Sequence, residues 1–118
     1  MFKHISAINR REGQSVEEFR HYWVTRHAEI AKVSLPKLRK YLATFPALGA
    51  AWPGSGQHLV CDALVELHFD TLEDLQAAMT GPQFMTEERK ASSALAMDLQ
   101  RNSYMVGEEY VVTLRQAT

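Results

Sequence analysis

A histidine and a tryptophan one helical turn apart are the residues of this sequence best suited to acid–base chemistry. Trp23 and His27 lie in a stretch from Ser15 to Ala31 whose apolar residues recur every three or four positions. Residues four apart on a helix meet on one face, so the indole would back the imidazole on an apolar surface. An imidazole titrates near neutral pH and suits a general acid or base. The alternative is a structural histidine, buried and hydrogen-bonded to a backbone carbonyl.

A second group of ionisable side chains lies in the clearest strand pattern, over residues 58–69. Alternation along a strand places Asp62, Glu66 and His68 on one face, opposite an apolar face that contains Val65 and Leu67. Two interpretations remain open. The polar face is either solvated, as in many antiparallel sheets, or it lines a cavity in which these side chains bind or polarise a ligand. No compact ligand motif accompanies the three side chains, and we expect no metal site.

The elements that must position these residues follow from local signals. Ser15 and Glu18 form a capping box, which predicts a helix that begins there and fades before Pro36. Strands are predicted over residues 2–9, 37–44, 58–69 and 104–114, with further helices from Thr71 and over 82–102. This order is typical of the ferredoxin-like βαββαβ fold, an α+β class with helices on one face of an antiparallel sheet. We therefore expect one domain over residues 1–118, with two copies packing sheet to sheet into a dimeric α+β barrel.

The segment 47–57 is rich in glycine and small residues and contains Trp52. It is longer than a hairpin connection needs. It is either a flexible connector or a lid that carries Trp52 over a pocket.

Composition and charge limit the classes of partner. The chain has 118 residues and a formal net charge of −1, which gives no electrostatic case for nucleic acid or an acidic membrane surface. No apolar run approaches the roughly 20 residues of a membrane span, and the N-terminus lacks the features of a signal peptide. Cys61 is the single cysteine and fits a reducing compartment. We expect a cytoplasmic protein without membrane or nucleic-acid partners and, since no dinucleotide or phosphate-binding turn is present, without a cofactor.

The chain resembles the EthD family, named for a protein of ethyl tert-butyl ether degradation. The resemblance rests on a series that covers nearly the whole chain: Arg10, Gly13, Ser15, Phe19, Trp23, His27, Pro36, Tyr41, Asp62, Glu66, Phe69, Asp98 and Glu109. It implies a homodimer with a pocket between sheet and helices in each subunit. Relatives in the family and its superfamily include methylmuconolactone isomerases, cofactor-free anthrone monooxygenases, polyketide cyclases and haem-handling enzymes. The sequence departs from the family at His68, where the family tends to have a tryptophan.

Residues and resemblance together predict a cofactor-independent enzyme that moves a proton on a small cyclic lactone, phenolic or polyketide-like substrate. His27 would transfer the proton beside a carbonyl, while Tyr41 and His68 would hydrogen-bond the enolate oxygen. Substrate binding is assigned to five side chains: Trp23, Trp52, Arg10, Asp62 and Glu66. Asp62 and Glu66 have an alternative role as ion-pair partners of Arg10 or of the second subunit. The alternatives for function are a cofactor-free monooxygenase and a non-catalytic protein that binds a small molecule or haem.

Overall fold

The computed structural model describes residues 1–47 and 59–115, and its centre is a four-stranded antiparallel sheet. The spatial order of the strands is β2-β3-β1-β4, with β1 at Phe2–Ile8, β2 at Lys40–Thr44, β3 at Ala63–Phe69 and β4 at Ser103–Glu108. In the register, Phe2 of β1 lies opposite Phe69 on one side and Glu108 on the other. The predicted ferredoxin-like α+β arrangement is confirmed.

Helices cover one face of this sheet. The first helical segment runs without a break through α1 (Val16–Tyr22), a π-helical turn (Trp23–His27) and α2 (Ala28–Val33), and the second half of the chain adds α3 (Leu72–Thr80) and α4 (Glu87–Ala96). The capping box at the start of α1 is confirmed. The Ser15 hydroxyl accepts from the Glu18 backbone N–H at 3.0 Å, and the Glu18 carboxylate accepts from the Ser15 N–H at 3.0 Å. None of the described helices is long and apolar enough to cross a membrane.

Several element bounds differ from the predicted ones. The strand predicted from His58 begins at Ala63; residues 59–62 lie outside any strand, and His58 lies outside the described residues. The last strand ends at Glu108 instead of Leu114, because its partner β1 begins at Phe2, opposite Glu108, and after the bond from the Glu109 N–H to the Met1 carbonyl residues 110–115 have no partner strand in the described part of the chain. The helix predicted over 82–102 is confined to α4, because Thr86 caps a new helix after the turn that follows α3.

The core lies between the sheet and the helices. Alternation along β3 turns Val65, Leu67 and Phe69 toward the helices, where they are buried. Phe19 and Trp23 pack on this face from the first helical segment and are almost fully buried. Burial of a large apolar side chain stabilises a fold by roughly 1.5–3 kcal/mol. The sheet therefore separates an apolar, helix-covered side from a second face that lacks such cover among the described residues.

Candidate functional site

A cavity of about 310 Å³ lies between the sheet and the helices. This volume is at the lower end of the range of small-molecule pockets, roughly 300 to 1,000 Å³. Most of the lining is apolar. The side chains that bring polar atoms to it include His4, Trp23, His27, Tyr41, Arg89, Ser93 and Asn102. The structure thus brings together at one cavity three residues predicted from the sequence, namely Trp23, His27 and Tyr41.

The π-helical turn sets the positions of Trp23 and His27. Within it the Ala28 backbone N–H donates to the Trp23 carbonyl, five residues back. Because this turn is wider than an α-helical one, residues four apart fall on the same face, and Trp23, His27 and Ala31 are all buried while Ile30 is only half-buried. The Trp23 and His27 ring centroids lie 4.5 Å apart. Such turns occur frequently at functional sites.

A hydrogen-bond chain fixes the His27 imidazole. Its Nδ1 lies 3.0 Å from the Ser92 hydroxyl, which in turn lies 3.2 Å from the Tyr22 hydroxyl. Ser92 is buried on α4, so the chain connects this helix to the π-helical turn. The His27 Nε2 makes no hydrogen bond to the described residues, and the ring lines the cavity. Nε2 is therefore the nitrogen that a ligand can reach.

Burial decides the protonation states of the titratable side chains around the cavity. Burial, together with a smaller effect of the nearby Arg89 guanidinium, lowers the pKa of His27 to about 4. Burial also lowers the pKa of His4 and raises the pKa of Tyr41 to about 12, the latter against an opposing effect of the Trp23 side chain. At neutral pH the cavity thus offers neutral imidazoles, which accept protons, and a phenolic hydroxyl, which donates a hydrogen bond.

Two buried polar atoms of the lining have no hydrogen-bond partner among the described residues. They are the Nδ1 of His4, whose ring stacks on Tyr104 with centroids 5.0 Å apart, and the indole Nε1 of Trp23, which interacts with the Tyr41 hydroxyl without reaching hydrogen-bond geometry. A buried polar group without a partner costs roughly 1–3 kcal/mol, so native proteins pair nearly all of them. A ligand with hydrogen-bonding atoms would supply the missing partners at both positions.

His68 and Glu66 lie on the opposite face of the sheet from this cavity. Successive side chains of β3 point to opposite faces of the sheet. Because Val65 and Leu67 point toward the cavity, Glu66 and His68 point away from it. There the Lys3 ammonium lies 3.1 Å from Glu66 Oε1, and His68 Nε2 lies 3.6 Å from the same oxygen. His68 therefore lies on the other side of the sheet from His27 and Tyr41. This arrangement does not match the expectation that Tyr41 and His68 hydrogen-bond the same enolate oxygen of the substrate.

Arg10 and Asp62 form an ion pair away from the cavity. The Arg10 Nη1 lies 2.6 Å from Asp62 Oδ1, and the Arg10 backbone N–H donates to Asp62 Oδ2 at 2.8 Å. They border a separate surface depression with Asp98 and Arg101. Of the two roles considered for Asp62, the geometry matches the ion pair with Arg10.

Two further expectations concern Trp52 and metal binding. Trp52 and nearly all of the segment predicted as a connector or lid lie outside the described residues. Within residues 1–47 and 59–115, no three His, Cys, Asp or Glu side chains gather in a group that could hold a metal ion.

Three residues of the site were not predicted from the sequence: His4 and Arg89, which line the cavity, and Ser92, which bonds the His27 ring. A signal for His4 exists, since the period of two along β1 puts it on the same face as the buried Ile8. For Arg89 and Ser92 there is no comparable local signal, because both meet their cavity partners through packing between distant segments.

Comparison with known proteins identifies one family and several similar folds. The model of the EthD domain matches residues 11–98. An ethyl tert-butyl ether D (EthD) family protein from Bacillus halodurans C-125 is 27% identical, with a TM-score of 0.63 over 93% of this chain and 99% of that chain. An EthD-like protein from Ralstonia eutropha JMP134 is 21% identical, with a TM-score of 0.65 over 91% and 89% of the two chains. A dimeric ferredoxin-like protein of unknown function from Thermobifida fusca YX is 16% identical, with a TM-score of 0.58 over 90% and 88%. No curated protein matches the chain significantly.

Proposed function

The chain belongs to the EthD family, and from that premise we propose that it is a cofactor-independent enzyme that transfers a proton on a small cyclic substrate. The substrate class is a lactone, phenolic or polyketide-like compound with a carbonyl or enol, and the reaction is of the isomerase, cyclase or lyase type. The observation that carries the proposal is the state of His27. The ring is buried and neutral, Ser92 holds its Nδ1, and its Nε2 is open to an apolar cavity.

The hydrogen-bond chain supports His27 as a base. When Nδ1–H donates to the Ser92 hydroxyl oxygen, Nε2 carries the lone pair, and the Ser92 hydroxyl is free to donate to Tyr22. In this proposal Nε2 removes a proton from a carbon next to a carbonyl and returns it at a second position of the substrate. Positioned proton transfer of this kind contributes roughly 100-fold to 10,000-fold to the rate.

The enolate oxygen formed in this step needs hydrogen-bond donors. Tyr41 is one candidate, since its high pKa keeps the hydroxyl protonated, and the unpartnered Trp23 Nε1–H is the other. Both side chains line the cavity. The negative charge that develops there also stabilises the imidazolium form of His27, which in the empty cavity is disfavoured by burial.

The second part of the proposal is a homodimer formed through the face of the sheet that the helices leave free. This face carries the half-buried Ile5, Leu42 and Leu64 and the exposed Met105. Beyond β4, Tyr110, Val111, Val112 and Leu114 are also apolar and exposed. The similar solved structure from Thermobifida fusca is itself described as dimeric. A second copy that covers this face would bury the apolar side chains and protect the sheet.

The experiment that tests the enzymatic proposal follows substrate conversion in heavy water, with and without oxygen. A panel of lactones and enolisable phenols is incubated with the protein in D₂O, and products are analysed by NMR. The proposal expects conversion that is independent of oxygen, with deuterium entering the product at the position to which His27 returns the proton. Conversion coupled to oxygen consumption would instead identify a cofactor-free monooxygenase. Binding without deuterium exchange or conversion across the panel would identify a non-catalytic binding protein.

A further inference from the structure

Arg89 brings a fixed positive charge to the cavity. It lies in the first turn of α4, and its side chain is held on three sides. Its Nε donates to the Phe84 carbonyl at 2.6 Å, its Nη1 donates to the Ser93 hydroxyl at 3.2 Å, and its guanidinium carbon lies 3.7 Å from the Phe84 ring centroid. These contacts fix the orientation of the guanidinium before any ligand arrives.

The charge of Arg89 is not balanced by the described part of the protein. No carboxylate among the described residues lies within salt-bridge distance of it, and the described residues that line the cavity include neither aspartate nor glutamate. The histidines of the lining, His4 and His27, are neutral at pH 7, because burial lowers both pKa values. A partly buried cation without a partner is unfavourable. An anionic ligand in the cavity would pair with the Arg89 guanidinium and remove this cost.

We propose that Arg89 binds the negatively charged group of the substrate, so that the cavity selects a small ring compound carrying one carboxylate. This inference extends the proposed function and rests on it, because it takes the cavity to be the substrate site. The guanidinium has five N–H donors, and two are used by Phe84 and Ser93, which leaves three for a ligand. The planar fork of an arginine matches a carboxylate with two parallel hydrogen bonds.

The remaining lining restricts the ligand to a single negative charge on an apolar body. Apart from its few polar groups, the cavity is walled by aliphatic and aromatic side chains, among them Leu35, Val65, Leu67, Met79 and Phe84. A second negative charge would find no cation among these side chains and would be buried without a partner. The volume of about 310 Å³ exceeds the 150 Å³ or so of an engineered cavity that holds benzene, so it accommodates one or two rings.

A bound carboxylate would also change the environment of His27. The charge of Arg89 acts against protonation of this ring, and an anion placed on Arg89 offsets that effect. Substrate binding would in this way make His27 a stronger base at the moment when it is needed. Arg89 would then have two effects, direct binding of the anion and adjustment of the neighbouring base.

The test compares two probes of equal shape, 2-naphthoate and 2-naphthamide, which differ in charge. Binding is measured by calorimetry, and the site is located by the NMR signal of the Trp23 indole N–H, distinguished from that of Trp52 in a Trp52→Phe variant.

A hydrogen bond to a charged group contributes about 1.5–3 kcal/mol, so we expect the wild type to prefer naphthoate by roughly 10-fold to 150-fold. Arg89→Gln should abolish this preference and leave naphthamide binding unchanged, whereas Arg89→Lys should retain part of it. Arg26→Gln is the control. It removes an exposed arginine of the π-helical turn that does not line the cavity, and it should leave the preference intact.

Equal affinity of the two probes in the wild type would overturn the proposal, and this comparison needs no variant to fold. A preference that persists in Arg89→Gln would overturn it as well. The result is separable from the enzymatic proposal, because the naphthoate preference is a binding measurement. If the preference is found but the panel in D₂O shows no conversion, the anion site stands and the proposed catalysis fails.

Discussion

The His27 imidazole and the Ser92 hydroxyl are joined by a 3.0 Å hydrogen bond between residues 65 positions apart in the sequence. The bond connects the π-helical turn to α4 and engages Nδ1, which leaves Nε2 for the cavity. It is therefore the contact on which the proposed orientation of the base depends.

Ser92→Ala should lower turnover about 10-fold or more and change its pH profile, because the His27 ring loses the partner that fixes its tautomer and orientation. The matched control is Ser34→Ala, which removes a buried serine bonded to the Ile30 carbonyl in α2. Both variants should lose stability of about 1 kcal/mol. Steady-state kinetics across pH separates them, since only the Ser92 variant should show altered kinetics. Equal kinetic effects of the two substitutions would contradict a positioning role.

His27→Gln should lower turnover by about 100-fold to 10,000-fold, because a glutamine amide cannot accept the proton. His21→Gln is the control, since His21 is exposed on α1 and does not belong to the cavity lining. Circular dichroism should show that both variants remain folded. Full activity in a folded His27→Gln protein would remove His27 from the mechanism.

Stability should decrease as the pH falls from 6.5 toward 4. The pKa of His27 is about 4 in the folded protein, below its value of about 6.5 when unfolded, so the unfolded state binds the proton more readily in this window. For this one group the loss between pH 7.5 and pH 5 is about 2 kcal/mol, and His4 acts in the same direction. Urea unfolding at the two pH values measures the difference. In His27→Gln the difference should shrink by about this amount, and an unchanged difference would contradict the assigned state of the ring.

Trp23→Phe should cost little stability relative to other changes in the core but should lower turnover several-fold. The indole Nε1–H is buried and makes no hydrogen bond of good geometry, so its removal loses only its interaction with the Tyr41 hydroxyl while it takes one donor from the enolate. Phe19→Ala is the contrasting variant, since removal of a fully buried ring costs about 3–5 kcal/mol. Thermal unfolding and kinetics on the same samples distinguish the two effects. A Trp23→Phe protein with wild-type turnover would show that the N–H does not serve the reaction.

Met105→Glu should weaken the proposed homodimer. Met105 is 58% exposed on β4 and lies opposite Ile5, so a carboxylate there would place a charge in the apolar contact between two sheets. Val33→Glu introduces the same charge at a residue of α2 that is 73% exposed and should not affect assembly. Native mass spectrometry of the wild type and both variants measures the oligomeric state. A monomeric wild-type protein would contradict the dimer itself.

The parts of the fold that local interactions determine could be predicted from the sequence. Ser15 and Glu18 determine the start of α1 through bonds within four residues, and the alternation along β3 distinguishes its two faces. The alternation along β3 also indicates that His68 does not share a face with the residues that line the cavity. The apolar face of β3 must meet the helix that carries His27, so the face with His68 points away from it.

The rest of the site depends on contacts that no local pattern contains. The packing of α4 against the π-helical turn brings Ser92 to His27 and sets Arg89 at the cavity. No local signal marks the π-helical turn either, since residues 23–27 contain neither proline nor glycine. Predicting these features requires the packed structure.

The π-helical turn is also the part of the first helical segment that can best tolerate the deletion of one residue. A residue deleted from an ordinary α-helix rotates everything beyond it by about 100°, which would turn the buried face of α2 away from the sheet. A residue deleted within Trp23–His27, such as the exposed Thr25, would convert the wide turn to α-helical winding and leave α1 and α2 near their present orientations. The turn that carries the proposed base is thus also the place where this helix can lose one residue at least cost to the fold.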